Sequence, residues 1–171
     1  MQVRSARDLS YQALEPLPFF SLGDDTCHGL VGTSAYSFGV SADGNVCAFL
    51  YYDLLVVYKS KTASPIFTAP CLGSGCFALS PDGCRLVFVE KRSRQTFFVD
   101  LMTGELTKLF DFAVDIINLS NALLAYYDYS KSAILYDLEV KRVQAMCPVE
   151  ERLNAIALSS DSALLATGAE K

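Results

Sequence analysis

Four apolar segments of this chain end in an aliphatic residue followed by serine, at Val40-Ser41, Leu79-Ser80, Leu119-Ser120 and Leu158-Ser159, and the serines stand 39, 40 and 39 residues apart. A period near forty residues kept over four copies describes an array of one supersecondary unit, each copy too small to bury its own apolar faces. The agreement extends past the anchor. Ser41-Ala42-Asp43-Gly44 and Ser80-Pro81-Asp82-Gly83 read as tight turns, and Ser159-Ser160-Asp161-Ser162 is a looser version. Glycine supplies the positive φ such turns need, and proline presets the angle before it.

After each turn comes a second apolar strand: Val46 to Tyr51, Arg85 to Val89, Ala122 to Tyr127 and Leu164 to Gly168. In the second unit a third strand, Gln95 to Asp100, leads through Leu101-Met102-Thr103-Gly104 into a fourth, Glu105 to Phe110. The third unit does the same with Ala133 to Asp137 and Lys141 to Cys147, and the first with Leu54 to Tyr58 and Ile66 to Ala69. Four strands per unit is the blade count of a β-propeller, whose neighbouring blades stack because each buried side chain contributes about 1.5–3 kcal/mol. The expected fold is therefore all-β, a partial β-propeller of four-stranded antiparallel blades. It occupies residues 35–171 as units 35–70, 75–111, 113–148 and 153–171, about three and a half blades. Residues 1–34 form an N-terminal segment in which Leu17 to Leu22 could serve as one outer strand. The sequence stops at Glu170-Lys171, where a third strand of the fourth unit should begin, and is read as a fragment.

Composition supports strands buried on both faces: 51% of residues are hydrophobic and 19% charged. Apolar runs such as Val46 to Tyr52 fall far short of the roughly 20 residues that cross a bilayer as a helix, and no secretion signal is evident, so a cytoplasmic setting is expected. A net charge of −5 argues against a dedicated nucleic-acid binder. The six cysteines lack the paired spacing of zinc sites and have one histidine, His28, for company. Cys47, Cys76 and Cys147 lie in apolar runs and are expected to pack as small hydrophobes.

No catalytic set is legible. His28 has no serine in a nucleophile elbow to serve, and Gly73-Ser74-Gly75 is too brief for a phosphate cradle and reads as a linker. The carboxylate pairs Asp24-Asp25 and Glu150-Glu151 read as solvated loops, and the sequon Asn118-Leu119-Ser120 falls on a strand expected to be buried. The chain is expected to be no enzyme and to need no cofactor and no metal. The candidate contact residues for a partner or an anion are the basic cluster Lys91, Arg92 and Arg94 at a hairpin tip, and Tyr129 in the Asp128 to Ser132 loop. The remaining aromatics, among them Tyr51, Phe97, Phe98, Tyr126 and Tyr127, are expected between blades.

Phe77-Ala78-Leu79-Ser80-Pro81-Asp82-Gly83, Arg85-Leu86-Val87-Phe88 and Val99-Asp100-Leu101-Met102-Thr103-Gly104-Glu105 together resemble the WD-repeat propellers, and Leu164-Leu165-Ala166-Thr167-Gly168 looks like the same second strand again. The resemblance covers residues 35 to 171. The chain has no tryptophan, Asp100 and Asp137 stand where the Trp-Asp pair would end, and the Gly-His pair is missing unless His28-Gly29 is its remnant. The second repeat alone also looks like propellers that cover serine peptidases or sit in bacterial envelope proteins. The third unit, with Ile134-Leu135-Tyr136-Asp137-Leu138 and then Leu153-Asn154-Ala155-Ile156-Ala157-Leu158-Ser159, is similar to the phosphoinositide-binding autophagy propellers, the PROPPIN group. The Phe-Arg-Arg-Gly stretch of that group has no counterpart here, so no lipid site carries over.

The resemblance implies a non-enzymatic scaffold that offers blade loops to other proteins in a multiprotein assembly. Two alternatives stay open: a propeller reading a phosphoinositide membrane surface in autophagy or trafficking, and the propeller lid of a hydrolase whose catalytic domain lies elsewhere.

Overall fold

Residues whose side chains are apolar on both alternating faces can satisfy their backbone in a sheet only if something covers each face of it. The computed structural model describes residues 37–169 except 52, 53, 61, 63, 72–74 and 128–130, all within one compact unit, Gly32–Lys171. The first sheet is β1 (Ser37–Val40), β2 (Val46–Leu50), β3 (Leu54–Lys59) and β4 (Phe67–Pro70). The second is β5 (Cys76–Leu79), β6 (Arg85–Glu90), β7 (Gln95–Asp100) and β8 (Leu106–Phe110). The third is β9 (Ile116–Leu119), β10 (Leu123–Tyr127), β11 (Ser132–Asp137) and β12 (Arg142–Pro148), followed by a two-stranded sheet of β13 (Leu153–Leu158) and β14 (Leu165–Ala169).

Every sheet is an antiparallel meander in chain order. The first strands of successive sheets touch in turn, β1 with β5, β5 with β9, and β9 with β13. That places the first strand of each sheet innermost and stacks the sheets about a shared axis, as blades are. The strand limits match those expected from the sequence to within a residue or two. Leu17 to Leu22 lies outside the described residues.

Three apolar layers between the sheets hold the array together. Leu86 and Phe88 of β6 pack toward the first sheet, against Ala48, Leu50, Leu55 and Val57. Val87 and Val89 of the same strand pack the other way, with Leu124 and Tyr126 of β10. Ala125 and Tyr127 in turn join Leu153 and Ile156 of β13. Period-two alternation is thus present in direction but invisible in polarity, since both sides of β6 and β10 are buried. Aromatic rings thicken the second layer: Phe110 stacks on Phe112 with centroids 4.9 Å apart and meets Tyr136 edge-on at 5.0 Å.

A serine–aspartate clip closes the first hairpin of three sheets. Ser80 Oγ donates to Asp82 Oδ1 at 2.6 Å and accepts the Arg85 N–H at 2.9 Å. Ser41 and Asp43 repeat this around Val46, and Ser159 and Asp161 around Leu164, with the same distances. Gly44 and Gly83 follow the two aspartates at φ 71° and 70°, and a Cβ on Gly83 would also press on Val46 of the neighbouring sheet. The third hairpin is shorter and lacks the aspartate; Ser120 Oγ accepts the Leu123 N–H directly at 2.9 Å. At the other turn of the same end, Asp100 and Asp137 each accept two backbone N–H groups, from Met102 and Thr103 and from Glu139 and Val140. The position that ends the Trp-Asp pair in the family is therefore a turn cap here, which needs no tryptophan.

Cys147 corrects one expectation: it lies on the outermost strand of the third sheet and is exposed, whereas Cys47 is buried and Cys76 half-buried. Hydrophobic sequence at an outer strand does not ensure cover: β12 is the fourth strand of its sheet, and the sheet that follows has only two described strands, β13 and β14.

Leu124→Ala, at a fully buried position shared by the second and third sheets, should lower unfolding stability in urea by about 2–5 kcal/mol, and Met102→Ala, on an exposed turn, by under about 0.5 kcal/mol. The Ser41 hydroxyl, with the Asn45 N–H groups, holds Asp43 down from the usual 3.8 to about 2, and Ser159 lowers Asp161 in the same sense. A depressed carboxyl adds stability that is present above its unfolded value and lost as pH falls through its folded one. Asp43→Asn should therefore flatten the loss of thermal stability between about pH 4 and pH 2, as followed by circular dichroism melts.

Candidate functional site

Antiparallel meanders sort their connections by end. The first-to-second and third-to-fourth strand turns of every sheet emerge at one end, and the second-to-third turns emerge with the sheet-to-sheet linkers at the other. Among the described residues the first end carries seven carboxylates (Asp43, Asp82, Asp100, Glu105, Asp137, Glu139, Asp161) and four cations (Lys59, Arg85, Lys141, Arg142). The linker end carries five described carboxylates (Glu90, Asp111, Asp115, Glu150, Glu151) and six cations (Lys91, Arg92, Arg94, Lys108, Lys131, Arg152), and Asp53 and Asp128 stand in the sequence between β2 and β3 and between β10 and β11.

The acidic end is occupied with holding sheets together. The Ala42 N–H donates to the Pro81 carbonyl at 2.7 Å, the Asp82 N–H to Asn121 Oδ1 at 3.1 Å, and the Ser120 and Ser162 hydroxyls lie 2.6 Å apart. Each first hairpin is tied to the next in this way. Arg85 adds a bond to the Asn121 carbonyl and an ion pair with Glu139 at 3.2 Å. These groups are spent on architecture.

At the linker end, Lys91, Arg92 and Arg94 occupy the β6–β7 turn and are all exposed. Lys91 is partly committed, its ammonium 3.4 Å from Asp115 just before β9. Arg152, just before β13, reaches the other Asp115 oxygen, also at 3.4 Å. One half-buried carboxylate therefore gathers cations from both sides of the third sheet. Beneath it, the Cys76 thiol points at the Asp115 carbonyl, 3.5 Å away, and burial pushes its pKa up to about 12. Cys71 is likewise raised to about 11 by burial. These thiols are packing groups and far from the thiolate state that reactivity needs.

The neighbouring β10–β11 turn aligns with the β6–β7 turn and ends in Lys131 where the other ends in Arg94. Tyr129 lies outside the described residues. Arg94 and Lys131 both adopt the left-handed backbone, at φ 57° and 61°. An L-residue there is less stable by about 1–2 kcal/mol; glycine takes such a position at Gly44, Gly83 and Gly104, while Lys141 and Ser162 hold it at φ 53° and 62°. Lys131, Asp115 and Arg152 escaped the sequence reading, although aligning the two hairpin tips would have exposed the Arg94–Lys131 correspondence. An open depression of about 310 Å³ lies at this end, lined by Val149, Glu150, Glu151, Leu153, Thr167 and Ala169. It brings together no set of catalytic groups, and among the described residues no cluster of metal-capable side chains occurs. His28 and Asp24-Asp25 lie outside the described residues.

Arg94→Gly should raise unfolding stability by about 0.5–1 kcal/mol through relief of the left-handed backbone. Arg92→Gly, in the same turn but without positive φ, should give no such gain in the same urea titration.

No family model matches the chain, and no curated protein is similar to it in sequence. Solved structures are similar in shape. The β-propeller domain of Cps50 (Swd1) from Myceliophteria thermophila superposes with a TM-score of 0.58 at 16% identity, covering 80% of this chain and 50% of that one. The WD40 repeats of RRP9 superpose with a TM-score of 0.56 at 13% identity, covering 74% of this chain and 42% of that one. The chain thus spans half or less of each structure, and its fold is that of part of a WD40-type β-propeller.

Proposed function

We propose that the chain is a non-enzymatic docking platform that presents its blade loops to protein partners in a multiprotein assembly in the cytoplasm. The observation that carries this reading is the division of labour between the two ends. One end is consumed by hydrogen bonds between sheets, while the other projects hairpin tips whose cations Arg92, Arg94 and Lys131 hold nothing within the described fold. Groups at loop tips on a rigid scaffold are the usual instruments of binding. Lys91, Arg92 and Arg94, together with Tyr129, are the residues assigned to partner contact. Cys71 and Cys76, whose pKa values are raised, add no nucleophile to the picture.

Affinity purification of the tagged chain from cells, followed by crosslinking mass spectrometry, tests this reading. The expected result is a stoichiometric protein partner with crosslinks to Lys91 or Lys131; reproducible recovery of the chain alone would refute it. The phosphoinositide-reading alternative makes a different prediction, sedimentation with phosphoinositide vesicles in the absence of any protein partner.

A further inference from the structure

We infer that the chain pairs head to tail with a second copy of itself, the open face of β13 and β14 in one copy receiving the open face of β1 in the other. This pairing uses the two end sheets of the array and is independent of the docking-platform reading.

One contact recurs between consecutive sheets. The residue two before each repeat serine faces the following sheet, and the residues one and three before it face the preceding sheet. A Cβ on Gly39 would come 3.1 Å from the Phe77 ring and 3.8 Å from Leu79 Cβ. Ala78 shares its layer with Ile117 and Leu119. Asn118 Oδ1 accepts the Leu158 N–H at 2.9 Å, and Ile156 and Leu158 both join the layer toward the third sheet. Each first strand thus offers a small or polar residue forward and sends two larger apolar ones back.

Both ends of the array carry an unanswered half of this contact. At the fourth sheet, Ala157 holds the forward position and is exposed. Its strand partner is Ala166, and Ala155 pairs with Gly168, so four small exposed residues share one face. At the first sheet, Phe38 and Val40 hold the backward positions and are 73% and 52% exposed, whereas Ile156 and Leu119, at the corresponding positions of other repeats, are buried. Further out on the same face Cys47, Val56 and Tyr58 are already buried, so the new contact falls on the innermost strand. Phe38 of one copy can seat over Ala157 of the other as Phe77 seats over Gly39.

A contact between unlike faces either closes into a ring or propagates. The sheets already share an axis, and the chain covers 50% and 42% of the two solved propellers it resembles. Two copies therefore span about one ring, with both ends of each copy in use.

Sedimentation equilibrium of the full 171-residue chain over a dilution series tests the pairing. The expected mass rises with concentration to twice that of one chain. Ala157→Glu and Phe38→Arg, both at exposed positions, should each weaken pairing about tenfold or more, with circular dichroism melts of the dilute chains matching the parent. Met102→Arg, exposed on a turn away from both faces, should leave pairing unchanged. Mixing the two pairing-defective variants should restore a pair, since one contact is then native and the other sets Glu against Arg. A parent chain that stays single at every concentration overturns the inference, as does a mass that climbs past two copies. Pairing lost in Phe38→Arg but kept in Ala157→Glu overturns it too, because like faces would then be meeting.

Discussion

The face-to-face stacking of sheets that are apolar on both sides is the constraint on which the rest of this structure depends. β6 sends Leu86 and Phe88 into one layer and Val87 and Val89 into the next, so neither the second sheet nor its neighbours has a self-sufficient core. Each layer belongs to two sheets at once. Burial of this kind is worth roughly 25 cal/mol per Å² of apolar surface, and in a blade it is gained only when the adjacent blade is in place. The forty-residue period is the covalent expression of that requirement: every repeat must present the same two faces to successive neighbours.

Stacking by itself would leave the sheets free to slide, because dispersion and desolvation are indifferent to small displacements. The polar chain along the acidic end supplies register. The Ala42 to Pro81 bond, the Asp82 to Asn121 bond and the Ser120–Ser162 pair each join hairpins about one repeat apart. The Asn118 side chain does the same for the Leu158 N–H. Ser41, Ser80 and Ser120 are all buried with their hydroxyls partnered, so the clip both closes a hairpin and hides its polar atoms within the stack. Where the aspartate is missing, in the third sheet, the hairpin shortens and Asn121 takes over the link to the preceding turn. A polar side chain thus compensates for backbone that the shorter turn no longer supplies.

Most of this was legible in the sequence because it is local or periodic. The aliphatic-serine anchor, the Asp-Gly turns and the short apolar runs between them each follow from rules that act within about ten residues. Cys147 was misread because exposure on an outer strand depends on which strands of the neighbouring sheet stand opposite it, which no local pattern records. The Lys91–Asp115–Arg152 cluster was missed for a related reason: its members are 24 and 37 residues apart and meet only when three consecutive sheets are stacked. Asp100 and Asp137 were placed correctly by resemblance, but their work as caps of backbone N–H groups is a property of the turn rather than of the missing tryptophan.

The two ends of the sheets show how one repeat can serve opposed demands. Where hairpins touch, the chain uses glycine for positive φ and short side chains that clip backbone, and the result is rigid and self-satisfied. Non-glycine residues also take left-handed positions at both ends, Arg94 and Lys131 at second-to-third strand turns and Lys141 and Ser162 at the hairpins of the other end. The backbone accepts that cost because the flanking strands, β6 with β7 and β10 with β11, are paired over five or six residues on either side and fix the turn geometry whatever occupies it. A strained position on a strongly determined hairpin is a stable place to hold a side chain outward, at either end of the sheet.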